Sequence, residues 1–143
     1  MKKNGFTLIE LLVTITIITI LATLGFVSYR QVIQRARDAQ RESDLKFIQS
    51  GLEQYFSDQK NYPYQIVMGN SLSFGERSYI TKIPSDPAGT PNYLYEARGS
   101  GCTEIAPQNC TSYCLFAKME GMDPLDDTGC TPIAPRNYGI TKP

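Results

Sequence analysis

The chain has 143 residues, and its 14 basic side chains balance its 14 acidic ones, so no global charge argues for a nucleic-acid partner. It contains no histidine, which removes the commonest general base and metal ligand and excludes any Ser-His-Asp or Cys-His site within the chain. The length suits one domain, and no nucleophile is accompanied by a plausible base, so the composition reads as that of a non-enzymatic protein.

The first element is apolar. Residues 6–27 comprise 15 apolar residues, five threonines, one glycine and one glutamate. At about 1.5 Å per residue, a helix of this length reaches about 33 Å, enough to span a bilayer. Only Met1 to Gly5 precede it, and they carry Lys2 and Lys3. The positive-inside rule therefore keeps the N-terminus cytoplasmic and exports the rest. A secretory signal has a small-residue cleavage site behind its apolar region, and Ala22-Thr23-Leu24 is a poor one. A plain signal anchor accounts for everything here except Gly5 and Glu10. A carboxylate in hydrocarbon costs on the order of 3 kcal/mol even on the forgiving insertion scales, so Glu10 needs a compensating partner.

The run Lys2-Lys3-Asn4-Gly5-Phe6-Thr7-Leu8-Ile9-Glu10, ahead of an apolar helix, resembles the class III signal of type IV pilins and type II secretion pseudopilins. The resemblance implies that a prepilin peptidase cuts between Gly5 and Phe6 and methylates the new Phe6 amine. It also implies that Glu10 of an incoming subunit meets the Phe6 amine of its neighbour during polymerisation. Two charges that are costly apart become tolerable as a pair. Many members of this family carry a proline where this chain has Val27, so only Gly25 weakens the helix locally.

The helix is expected to run far beyond the membrane, because no proline occurs before Pro63. Leu45, Ile48, Leu52, Tyr55 and Phe56 recur at steps of three and four, an amphipathic stripe. The preceding stretch, Arg37 to Asp44, is almost wholly polar and reads as solvated helix. Arg35, Arg37 and Arg41 with Asp38, Glu42 and Asp44 are candidates for ion pairs between subunits, each of small value when exposed. Because the charges are mixed, a lipid-facing role for the basic residues is given little weight. The helix should end between Asp58 and Asn61, before the extended Tyr62-Pro63 dipeptide.

Downstream, Tyr79-Ile80-Thr81-Lys82-Ile83-Pro84-Ser85-Asp86-Pro87-Ala88-Gly89-Thr90-Pro91-Asn92-Tyr93 is a turn signal leading into an alternating segment. Its order and spacing resemble the corresponding run of the G-type (major) pseudopilins, as do Ser43-Asp44-Leu45 and Gly51-Leu52-Glu53-Gln54-Tyr55. Residues 93–97 and 112–119 are the best strand candidates, paired as a hairpin across residues 98–111. The tail from Gly121, with Pro124, Pro132, Pro135 and Pro143, reads as extended coil.

Cys102, Cys110, Cys114 and Cys130 lie within 29 residues of one another on the exported side, and they read as two disulfides in an oxidising compartment. Three pairings are open. A Cys102–Cys110 bridge would close the hairpin loop locally and leave Cys114–Cys130 to staple the tail. Each closed loop is worth about 2–4 kcal/mol. A four-cysteine zinc site competes poorly, because no CxxC pair is present. The resemblance further implies calcium as the one cofactor to consider, and Asp123, Asp126 and Asp127 supply hard oxygens near the expected place. The family's glycine-rich acid loop is not reproduced, and a solvated turn is the competing reading.

These readings give an α+β, type IV pilin-like fold. A long N-terminal helix, half membrane-embedded and half amphipathic, packs on a small antiparallel sheet with a disulfide-stapled C-terminal region. The chain divides into a leader (residues 1–5), a transmembrane and filament-core helix (6–27), an amphipathic helix (28–61) and an extracytoplasmic headgroup with an extended tail (62–143). The resemblance implies a homo-polymer, extracted from the cytoplasmic membrane by an assembly ATPase and a platform protein. It also implies accompanying minor pilins or pseudopilins, and a final place in an envelope or surface filament. The function it favours is a type II secretion pseudopilus subunit. A surface pilin for adhesion, motility or DNA uptake, and a monomeric signal-anchored binding domain, are the alternatives.

Overall fold

A computed structural model describes residues 5–105, 109–121, 129–131 and 133–142. It is organised around one helix, α1 (Leu8–Gln59), of 52 residues. At about 1.5 Å per residue this helix is about 78 Å long. It starts where Thr7, with an extended backbone, caps it. It stops at Lys60, whose left-handed backbone (φ 60°, ψ 12°) returns its N–H to the Phe56 carbonyl. Tyr62-Pro63 then forbids another turn, so the end falls where the sequence places it.

The two halves of α1 live in different surroundings. From Phe6 to Phe26 every side chain is exposed, although most are apolar, and this half is long and apolar enough to cross a membrane. In the second half one stripe is buried: Asp38, Arg41, Leu45, Ile48, Leu52 and Tyr55. Their steps of three and four put them on one face, and that face meets the headgroup.

The headgroup holds five strands. β1 (Leu72–Phe74) and β2 (Arg77–Ile80) form a short hairpin across Gly75-Glu76. β3 (Leu94–Arg98), β4 (Ser112–Ala117) and β5 (Tyr138–Thr141) form an antiparallel sheet with β4 in the centre. Leu94 pairs with Phe116 and Arg98 with Ser112, which is the expected hairpin. The tail departs from expectation. It does not end as coil, because residues 138–141 pair with β4, Leu115 opposite Ile140 and Phe116 opposite Gly139. The β1–β2 hairpin is likewise additional to the expected strands.

Strand β4 is buried on both faces. Tyr113, Leu115 and Ala117 join the core shared with α1, whereas Cys114 and Phe116 pack with Cys130 on the opposite side. The alternation of a strand thus serves two layers at once. Gly139 is needed for that second layer, since a Cβ there would lie 2.9 Å from the Phe116 ring.

Strand β2 approaches α1 at Gly51, where a Cβ would stand 2.3 Å from Cγ1 and 2.4 Å from Cδ1 of the buried Ile80. Alanine is the better helix former by about 1 kcal/mol. The contact outweighs that gain, because overpacking a filled core costs about 1–3 kcal/mol. Gly51→Val should therefore lower the headgroup melting temperature of the full chain in detergent. A double variant with Ile80→Ala should recover part of the loss.

Candidate functional site

Gly5 and Phe6 stand at the tip of α1. Phe6 is 87% exposed, and a Cβ on Gly5 would meet nothing within 4 Å. Thr7 and Glu10 form a reciprocal cap. The Glu10 N–H donates to Thr7 Oγ1 at 3.3 Å, and Glu10 Oε2 accepts from the Thr7 N–H at 2.9 Å and the Thr7 hydroxyl at 2.8 Å. This is a capping box, whose Thr-x-x-Glu signature lies inside the processing-type motif. The carboxylate in the apolar segment thus has local partners within its own chain. The other four threonines of the segment behave differently. Thr14, Thr16, Thr19 and Thr23 each return their hydroxyl to a carbonyl of the preceding turn at 2.7–2.8 Å.

Beyond the membrane half, the polar stretch of α1 is solvated at Ala39, Gln40 and Ser43, as expected, but not on the face that carries Asp38 and Arg41. Arg41 is 2% exposed and gathers three carboxylates. Its Nη1 donates to Asp38 at 2.7 Å, its Nε and Nη2 grip Asp86 at 2.8 and 3.1 Å, and Nη2 also lies 2.9 Å from Glu120. Arg37 donates to both oxygens of the same Glu120. Asp38 in turn accepts the backbone N–H groups of Glu120 and Gly121 at 2.8–3.1 Å. Asp86 accepts the Ala88 N–H at 2.8 Å, closing its own Asp-Pro turn. The joint therefore fastens the turn after β2 and the chain after β4 to one level of the helix. The expected ion pairs between subunits are corrected at these positions: Arg37, Asp38 and Arg41 are engaged within the chain, and Glu42 pairs with Lys46.

Burial works against the Arg41 charge, but its bonds to Asp86, Asp38 and Glu120 prevail and raise its pKa. The Arg37 guanidinium, assisted by Arg41, holds the Glu120 carboxyl down at about 2 despite partial desolvation.

Further along α1 two half-buried carboxylates and an exposed one receive tyrosine hydroxyls. Asp44 accepts from Tyr93 at 2.7 Å, Glu53 from Tyr62 at 3.0 Å and Tyr113 at 3.1 Å, and Asp58 from Tyr79 at 3.0 Å. Burial, reinforced by these carboxylates, pushes the Tyr62, Tyr93 and Tyr113 hydroxyls well above the ordinary tyrosine range.

Both disulfides lie in the headgroup, joining Cys102 to Cys110 and Cys114 to Cys130. The first sits against the end of α1, where the Tyr62 N–H bonds to the Cys110 carbonyl at 2.8 Å. The second ties the central strand to the tail that covers its outer face. Asp123, Asp126 and Asp127 lie outside the described residues. Among the described residues, the carboxylates that gather most closely do so on Arg41.

A capped apolar helix with an exposed Gly5-Phe6 tip and a disulfide-bearing α+β headgroup defines a membrane-anchored, pilin-like subunit. The family model described as "Prokaryotic N-terminal methylation motif" matches residues 1–26. The chain is similar to type II secretion system core protein G of Pseudomonas aeruginosa, with 31% identity over 69% of this chain and 77% of that protein. The corresponding proteins of Aeromonas hydrophila and Escherichia coli K12 are 29% and 27% identical over 73% of this chain, covering 80% and 79% of their own lengths. No solved structure matches the chain significantly. The chain belongs to the type II secretion system core protein G family, the G-type pseudopilins.

Two outcomes follow from the joint. Arg41→Met strands Asp38, Asp86 and Glu120 without their cation, and breaking a buried pair in this way costs about 3–5 kcal/mol. Urea unfolding of the full chain in detergent should show that loss, and adding Asp86→Asn should restore part of it. The pH dependence has a sign at each end. The lowered Glu120 pKa contributes stability at neutral pH that disappears as pH falls through the carboxylate range toward about 2. The raised tyrosines contribute stability below the unfolded tyrosine pKa of about 10 that is lost as pH rises beyond it. A melting series should fall on both sides, and Glu120→Gln should flatten the acid limb alone.

Proposed function

We propose that this G-type pseudopilin is a structural subunit, cut after Gly5, methylated at Phe6 and polymerised through its N-terminal helix to support protein secretion. The observation that carries the reading is the Glu10 carboxylate at the head of a fully exposed apolar helix, four residues from the amine that cleavage at Gly5 would create. Side chains this apolar are stable only in lipid or against other copies of themselves. Glu10 then selects the register in which copies stack, since a neighbour's amine replaces the Thr7 cap as its partner. Prepilin peptidase, an assembly ATPase, a platform protein and minor pseudopilins are the partners of this reading. None of the three relatives described above carries a pilus name, so the surface-pilus alternative gains nothing from them.

The proposal is tested in the native host. Mass spectrometry of envelope material should find a mature chain starting at methylated Phe6, and a deletion strain should lose secreted proteins. Glu10→Ala should still enter the membrane but should abolish filament recovery and secretion. Wild-type filament yield from that variant would overturn the register role, and an intact Met1 terminus would overturn the processing.

A further inference from the structure

The chain has seven arginines, and five are held by protein. Arg37 and Arg41 belong to the carboxylate joint, and Arg77 pairs with Asp58 at 2.8 Å. Arg98 pairs with Glu96 at 3.3 Å, and Arg136 donates twice to the Asn92 carbonyl at 2.7–2.9 Å. Among the described residues Arg30 and Arg35 make no such bond, and both are exposed. They are also the two arginines nearest the apolar segment. No acidic residue lies between Glu10 and Asp38, and Asp38 is buried and already occupied by Arg41 and two backbone N–H groups.

We propose that Arg30 and Arg35 form a collar that binds lipid phosphate in the leaflet facing the headgroup. The inference rests on the membrane-spanning reading of residues 6–27. Along the axis, Arg30 stands about 4.5 Å and Arg35 about 12 Å past Val27. The polar layer on each side of the hydrocarbon is about 5–7 Å thick. Side chains of a helix tilt toward its N-terminus, which here is toward the bilayer, so both guanidinium groups lean back into that layer. Arginine stems bury along apolar surface while the planar head stays polar, and that head matches phosphate through paired N–H donors. Tyr29, 65% exposed, adds the amphipathic ring expected at such an interface. The mixed charges of residues 35–44 obscure this in the sequence. Once the joint withdraws Asp38 and Arg41, and Lys46 takes Glu42, the charges left nearest the membrane among the described residues are those of Arg30 and Arg35.

The test uses the full chain with 13C at the arginine Cζ carbons. It is reconstituted in phosphatidylethanolamine–phosphatidylglycerol bilayers in phosphate-free buffer. Solid-state dephasing of the Cζ signal by lipid 31P reports guanidinium–phosphate contact. Two of the seven arginine signals should dephase; R30Q and R35Q should each remove one, and the double variant both. Because neither side chain holds the fold, headgroup melting should be unchanged. Dephasing that survives the double variant, or Cζ contacts to Asp or Glu carboxyl carbons of a second copy in place of phosphorus, would overturn the lipid site. A chain that fails to float with the vesicles overturns the membrane reading beneath it. A chain that floats without dephasing overturns the collar alone.

Discussion

One guanidinium holds the architecture together. Arg41 sits where a helix built for lipid becomes a helix built for a protein core, and it binds Asp38 on its own helix, Asp86 from the turn after β2 and Glu120 from the chain after β4. A buried cation with three anions is a poor source of net stability, because desolvation consumes much of the attraction. What it supplies is position. Each carboxylate has a single place at which its lone pairs are satisfied, so two loops distant in sequence are fixed to the same turn of α1. The apolar stripe from Leu45 to Tyr55 can then pack without slipping along the helix axis.

The headgroup face of α1 continues the same logic with neutral donors. Asp44 and Glu53, half-buried on that face, would be costly if left alone. Tyr93 from the turn before β3, Tyr113 from β4 and Tyr62 from the segment after the helix bring aromatic bulk and a hydroxyl to them. The interior is thus apolar between these carboxylates and polar at them, which sets the orientation of the Tyr62, Tyr93 and Tyr113 rings.

Much of this was legible in the sequence, and the exceptions share a cause. The apolar helix, its end near Lys60, the β3–β4 hairpin and two disulfides follow from local signals: hydropathy and periodicity, Tyr62-Pro63, alternation and loop closure. The joint was invisible because its partners are 45 and 83 residues apart, and nothing local distinguishes a buried arginine from a solvated one. The proline-rich setting of the tail masked Tyr138-Gly139-Ile140-Thr141, which becomes a strand only because β4 offers it a free edge. The Thr7–Glu10 cap was readable but coincides with residues that already had a processing explanation. For Asp86 the turn chemistry was evident; that the same carboxylate also receives Arg41 was not.

The placement of β4 has a temporal consequence. The helical stripe that ends at Tyr55 finds its core partners in Tyr113 and Leu115, and the outer layer waits for Cys130 and β5. Contacts between residues so far apart in the chain form late, because the long loop between them must close first. The core on the helix side therefore cannot close before β4 exists, and the outer layer stays open until residues 138–141 reach the strand's free edge.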